Sequence, residues 1–184
     1  MNKIVLAISC ALLTCFILLL SYKVGLFSTD LTENQEQTID FLNGNQELSL
    51  NYSESEFSHL VDVKELMQGF DFLFYLSLLF CTLILTYYKR KQENLKKILY
   101  YGGILTLSLA GVILILVIVN FNFAFTFFHS ILFPQGNWLF PENSLLIQIF
   151  PIGFFVAVSV KIFLLAIGLA ILIIILSKRT VFID

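Results

Sequence analysis

Four long apolar runs, Ile4–Leu20, Phe72–Tyr88, Ile98–Val119 and Ile152–Leu176, decide what this chain can fold into. A helix needs about 20 apolar residues to cross a hydrocarbon core of about 30 Å. The two shorter runs gain Tyr22 and Phe70 at the interface. Inside lipid each backbone N–H and C=O has to be satisfied within the protein, which a helix does by itself. The expectation is an all-α integral membrane protein with four transmembrane helices. Composition agrees: 58% of the residues are hydrophobic and 13% charged, where a soluble domain carries about 25% charge. The net charge of -2 and the scattered Phe and Tyr, with no basic groove beside them, argue against a nucleic-acid partner.

Lys and Arg near the helix ends set the orientation. Lys89, Arg90, Lys91, Lys96 and Lys97 cluster between the second and third runs, Lys178 and Arg179 follow the fourth, and Lys3 precedes the first. Residues 21–71 offer only Lys23 and Lys64 against ten acids, and residues 120–151 hold no Lys or Arg. The chain therefore reads as one membrane domain, N-in and C-in. Its spans are 4–20, 72–88, 98–119 and 152–176, with extracytoplasmic segments 21–71 and 120–151. A cytoplasmic loop covers 89–97 and a cytoplasmic tail 177–184. Such a chain is a multi-pass protein of the cell membrane.

The first external segment is polar and acidic from Ser28 to Asn51, with a turn at Asn43-Gly44-Asn45. Ser53-x-x-Glu56 then makes a capping box. It starts a short amphipathic helix with Leu60, Val63, Leu66 and Met67 on one face. This helix is expected to lie on the outer membrane surface and to end before Gly69. In the second external segment Pro134, Gly136, Asn137 and Pro141 require a compact loop, and Trp138 belongs at the lipid–water interface. Asn143 or Ser144 can cap a further short helix ending before Pro151.

Both histidines, His59 and His129, fall in these external segments. Taken singly, each is as well read as an interfacial side chain satisfied by water or a carbonyl. Taken together they are the best lead to chemistry, because imidazole suits proton transfer near neutrality. A partly desolvated His129 would be neutral, the form a general base needs. Asp62, at i+3 from His59, can fix the tautomer of that ring. A metal site built from His59, Asp62 and His129 is conceivable but lacks a third histidine and any H-E-x-x-H, so no metal and no cofactor are expected. Asn120, Asn122, Gln135 and Asn137 offer amide donors for an oxyanion, and spacing does not choose among them. Lys161 is the one formal charge well inside a run. It stands about 24 Å from a boundary at Ser177, within snorkelling reach of the outer face, where it can meet lipid headgroups or a substrate. Cys10, Cys15 and Cys81 lie in apolar runs without metal-ligand spacing and read as small hydrophobes. No nucleophile elbow G-x-S-x-G and no phosphate-binding glycine loop is present.

One pattern is more specific than any single residue. Phe128-His129-x-x-x-Phe133-Pro134-Gln135-Gly136-Asn137-Trp138 continues through Phe140-Pro141, Leu146-Ile147 and Pro151. It is joined by His59-x-x-Asp62-Val63-Lys64 and a preceding Phe41-Leu42-Asn43-Gly44. These blocks, spread from about Ile39 to Pro151, resemble the signature of the lipoprotein intramolecular transacylase (Lit) family of four-helix membrane proteins. The resemblance implies membrane-anchored diacylglyceryl lipoproteins as partners in the phospholipid bilayer, with an active site on the extracytoplasmic side. It implies transfer of the sn-2 acyl chain of S-diacylglyceryl-cysteine to the α-amine of that cysteine, leaving the N-acyl S-monoacylglyceryl lyso-form. No protein nucleophile is obligatory for that reaction. In this reading His129 is general base and acid, and His59 assists through Asp62. Asn137 and Trp138 shape the pocket, with Lys64, Gln135 and Lys161 in support. Two other readings stand beside it: a non-catalytic membrane protein that binds a partner through its acidic segment, and a related lipid-modifying acyltransferase with another substrate.

Overall fold

The computed structural model describes residues 1–179, so the part of the expected tail at 180–184 lies outside the described residues. Among the described residues seven helices follow one another: α1 Lys3–Phe27, α2 Glu33–Leu42, α3 Glu54–Tyr88, α4 Gln92–Val119, α5 Phe121–Leu132, α6 Leu145–Ile149 and α7 Ile152–Arg179. No strand occurs among the described residues. Four of the helices, α1, α3, α4 and α7, are long and apolar enough to cross a membrane. The protein is thus an all-α membrane protein with four spanning helices and short helices gathered in its two long connections.

α4 and α7 pack most extensively, and α1 lies against α4, α7 and α3. Two adjacent glycines allow α4 to approach two neighbours at once. A Cβ on Gly102 would stand 2.8 Å from Leu13 of α1, and one on Gly103 2.6 Å from Ile174 of α7. Within this contact the Thr106 hydroxyl donates to Thr14 Oγ1, and the Thr14 hydroxyl donates to the Gly102 carbonyl. These buried hydroxyls are therefore satisfied across the α1–α4 interface, as helices in lipid require. Around them Leu13, Ile17, Cys81, Tyr88, Leu95 and Ile98 form the core of the bundle.

A second core lies where the long connections meet. Phe41 and Leu42 of α2, Leu60 of α3, Leu146 and Ile149 of α6, and Phe150 bury one another there. α2 was not anticipated, although its signal is present: Gln35 Oε1 accepts the Thr32 N–H at 3.0 Å, the return half of a capping box. Its Gln35 amide also donates to the Ile149 carbonyl at 2.7 Å, fastening α2 to the end of α6.

The expected surface helix at Ser53 is instead the first part of a continuous 35-residue α3. Nothing at Gly69 demands a break, since its surroundings are open. A helical glycine costs about 1 kcal/mol, less than stopping and restarting a helix with its orphaned N–H and C=O groups. At 1.5 Å per residue α3 is about 52 Å long, well beyond a hydrocarbon core of about 30 Å. Its N-terminal half, with His59, therefore projects out of the span. α5 is also a helix where a loop was expected. Asn120 breaks α4, and its side chain then caps α5 by accepting the Phe123 N–H. Of the two candidate caps for α6, Asn143 and Ser144, it is Ser144 that accepts the Ile147 N–H.

Candidate functional site

The site lies between the projecting part of α3, the end of α5 and the loop that follows. His59 is buried in the second turn of α3, only 6% exposed. His129 is half-buried in the last turn of α5. The two rings, 70 residues apart in sequence, come together with centroids 6.2 Å apart. Phe133 and Phe140 wall the His59 ring at 4.9 and 5.7 Å. His129 stacks on Phe125 at 3.8 Å and meets Trp138 at 5.1 Å. The surroundings are an aromatic cage, and the two imidazoles are its polar heads.

Two details set the protonation of the pair. His129 Nδ1 lies 2.9 Å from the Phe125 carbonyl. A carbonyl oxygen only accepts, so Nδ1 must carry the proton, which leaves the Nε2 lone pair free. Burial also moves both rings below the ordinary histidine range. His59 is pushed down to about 4, first by loss of solvent and then by the neighbouring His129, against the opposing pull of Asp62 and Asn137. His129 is lowered by burial, with the Phe125 carbonyl opposing. Two neutral imidazoles at pH 7 can hold or move a proton without first losing one.

Asp62 makes its hydrogen bonds to the facing loop rather than to His59, the neighbour that the i, i+3 spacing suggested. Its Oδ2 accepts from the Gln135 amide at 2.9 Å and from the Asn137 amide at 2.6 Å. Two amide donors on the facing loop reach the carboxylate because the chain turns between them. Gly136 sits at φ +77°, a backbone region that only glycine enters without strain, and its N–H returns to the Phe133 carbonyl. Asp62 therefore ties the loop that follows His129 to the His59-bearing helix. The same bonds engage an amide hydrogen of both Gln135 and Asn137, two of the four oxyanion donors that spacing left open. Among the described residues, His59 Nδ1 and Asn137 Oδ1 are buried side-chain polar atoms without a hydrogen-bond partner.

Sequence reasoning assigned Glu56 a capping role and missed the rest. Its Oε2 accepts from the Ser53 N–H and hydroxyl, while Oε1 accepts the Leu146 N–H at the start of α6. Burial works against its charge, but these donors together hold the carboxyl below the usual carboxylate range. One buried carboxylate thus caps two helices and sets α6 against α3, one turn from His59.

The two cations make their contacts elsewhere. Lys64 lies over the Phe41 ring at 4.3 Å, at the end of α2. Lys161 donates to the Ser28 carbonyl at 2.6 Å and to Thr29 Oγ1 at 3.3 Å, placing a cation on the C-terminal end of α1, which has no basic residue in its last turn. An open groove of about 620 Å³ runs beside Lys161 along α7, lined by Ala157, Leu164 and Gly168 among others; the two histidines are not among its lining residues.

The model of the family described as "Lipoprotein intramolecular transacylase Lit" matches residues 3–155. No curated protein matches the chain. Among solved structures, the membrane integral lipoprotein intramolecular transacylase Lit from Bacillus cereus has the same fold. It shows a TM-score of 0.85 at 21% identity, covering 96% of this chain and 94% of that one. Variants of that protein with one histidine replaced by arginine or by alanine superpose with TM-scores of 0.77 and 0.78, again at 21% identity. The arginine variant covers 96% of this chain and 90% of its own, the alanine variant 97% and 93%.

Proposed function

The chain belongs to the lipoprotein intramolecular transacylase family, and from that premise we propose that it moves an acyl chain from glycerol oxygen to an α-amine within one lipoprotein. The observation that carries the proposal is the meeting of His59 and His129 inside an aromatic cage, both neutral and one with a defined free lone pair.

The substrate is S-diacylglyceryl-cysteine with a free amino terminus, held in the outer leaflet with the site facing the extracytoplasmic side. The neutral amine attacks the carbonyl carbon of the sn-2 ester, and the C–N bond forms. His129 Nε2 takes the N–H proton and returns it to the glycerol oxygen as the C–O bond breaks, so no net proton is consumed. His59, in the Nε2–H tautomer, donates to the oxyanion of the tetrahedral intermediate. Amine and ester belong to one molecule, so proximity comes largely from the substrate. The protein's task is to orient the pair and exclude water, which the Phe125, Phe133, Phe140 and Trp138 side chains serve.

The test is expression in a lipoprotein-making host that lacks other N-acylating enzymes. Mass spectrometry of a reporter lipoprotein should show the N-acyl S-monoacylglyceryl form. A reporter that stays wholly diacylglyceryl, with the protein present in the membrane, would remove the assignment.

A further inference from the structure

Lys161 is the one formally charged residue of α7 between Ile152 and Ser177. Its ammonium donates to two neutral oxygens, the Ser28 carbonyl and Thr29 Oγ1. The ion pairs among the described residues are Lys23–Asp71 and Lys96–Glu93, so Lys161 has no carboxylate against it. The end of α1 supplies a partial charge of about half a unit, which offsets only part of a full one. An ammonium also carries three N–H groups, and these contacts use two. Beside it the groove of about 620 Å³ runs along α7 past Leu164 and Gly168 to Leu172. Its floor is open at Gly168, where an added Cβ would meet nothing within 4 Å. From Lys161 to Leu172 is about 16 Å at 1.5 Å per residue, close to the depth of one leaflet in a hydrocarbon core of about 30 Å.

The geometry points to a binding seat for one anionic phospholipid, with its phosphate at Lys161 and one acyl chain lying along α7 as far as Leu172. Charge complementarity selects the headgroup. A lysine is a compact cation that binds phosphate as a point charge, and anionic lipid draws cations at a membrane surface. The groove selects the attached chain, because no lining residue other than Lys161 is polar and a free phosphate would leave it empty. The seat is separate from the histidine cage. Phe155 faces that cage, meeting Phe125, which stacks on His129. Successive helical residues turn by about 100°, so Ala157 and Leu164 lie about 160–180° round α7 from Phe155. A lipid held there also braces the bundle, since Lys161 already joins α7 to the end of α1, and anything that binds only the folded state stabilises it.

The test is native mass spectrometry of the full-length protein, titrated in detergent with phosphatidylglycerol and with phosphatidylcholine of identical chains. Wild type should bind one copy of the anionic lipid more tightly than the zwitterionic one. Lys161→Gln should shrink that preference about five- to tenfold, the size expected for one cation lost from a phosphate, and Lys161→Arg should keep it. The basic residues between α3 and α4 attract anionic lipid in every variant, so their contribution cancels in the comparison. Gly168→Leu, which fills the groove and leaves Lys161 in place, should weaken both lipids together without changing their ratio, and it serves if the glutamine variant does not fold. No preference in wild type, an unchanged preference in a folded Lys161→Gln variant, or unchanged binding of both lipids to Gly168→Leu would overturn the inference. So would a lipid-free dimer that Gly168→Leu dissociates, because a second copy of the chain would then be the occupant.

Discussion

Replacing Asp62 by Ala is the most informative single perturbation, because it separates a carboxylate that orients an imidazole from one that clamps a loop. The structure supports the clamp: Asp62 accepts from Gln135 at 2.9 Å and from Asn137 at 2.6 Å. The Gln135 bond is exposed to solvent, so water replaces it readily and it contributes about 0.5 kcal/mol. The Asn137 bond is short, half-buried and charge-assisted, a class that contributes about 1.5–3 kcal/mol. The sum, about 2–3.5 kcal/mol of lost alignment, converts to a fall of roughly 30- to 400-fold in kcat/KM at about 1.36 kcal/mol per decade. Gln135→Ala should cost less than about threefold by the same reckoning. The assay is turnover of a diacylglyceryl-cysteine peptide in detergent micelles, followed by mass spectrometry. A double variant with Asn137→Ala should be no slower than the worse single variant, because both changes remove the same bond. Activity of Asp62→Ala within threefold of wild type, or fully additive losses, would refute this reasoning.

Other expectations follow from neighbouring features. Burial lowers both imidazoles from the ordinary histidine value, so both are neutral at pH 7, and a fall in pH from 8 to 7 should slow the reaction mainly by protonating the substrate α-amine, whose ordinary pKa is about 8. The acid limb of kcat/KM should then move with the amine when a substrate of lower amine pKa is used, and a limb that ignores the substrate would contradict it. Glu56→Gln turns an acceptor into a donor facing the Ser53 N–H and should destabilise the protein by about 1–3 kcal/mol. Thermal unfolding in detergent would show this as a lowered Tm, and an unchanged Tm would argue against the double cap. A cysteine placed at the exposed Gln46 should react with a membrane-impermeant thiol reagent in intact cells, whereas reaction only after lysis would reverse the proposed orientation.

How much of this was legible beforehand depends on the range of the interaction. The four spanning helices follow from long apolar runs, a local property that lipid enforces on its own. The Ser53 and Ser144 caps were legible for the same reason. Helix α2 was legible in principle through Thr32 and Gln35, but its many polar and acidic residues mask the pattern of a ten-residue amphipathic helix. The continuity of α3 through Gly69 was not, because spacing marks a glycine without telling whether anything makes the helix stop there. At the site, the residue types pointed to His59 and His129, and the turn at Gly136 was expected. Their meeting depends on contacts across 70 residues, and no periodicity encodes those. Asp62 illustrates the limit best. Its helical neighbour in sequence was His59, whereas its partners in space come from a loop more than 70 residues away. Once those partners are known, an amide hydrogen of Asn137 is seen to be committed to Asp62. Lys161 likewise reaches the end of α1, a contact across more than 130 residues that spacing does not encode.

The central claim is that an acyl chain passes from oxygen to nitrogen within one molecule, with His129 as the base. It is tested most directly with the purified protein and a diacylglyceryl-cysteine peptide whose sn-2 chain alone carries an isotopic label, mixed with a peptide of different mass carrying no label. Wild type should place the label in the N-terminal amide of the peptide that first held it, and a stably folded His129→Gln variant should lose at least 100-fold in rate. Label released as free fatty acid, label found on the second peptide, or a His129→Gln variant as fast as wild type would contradict the account.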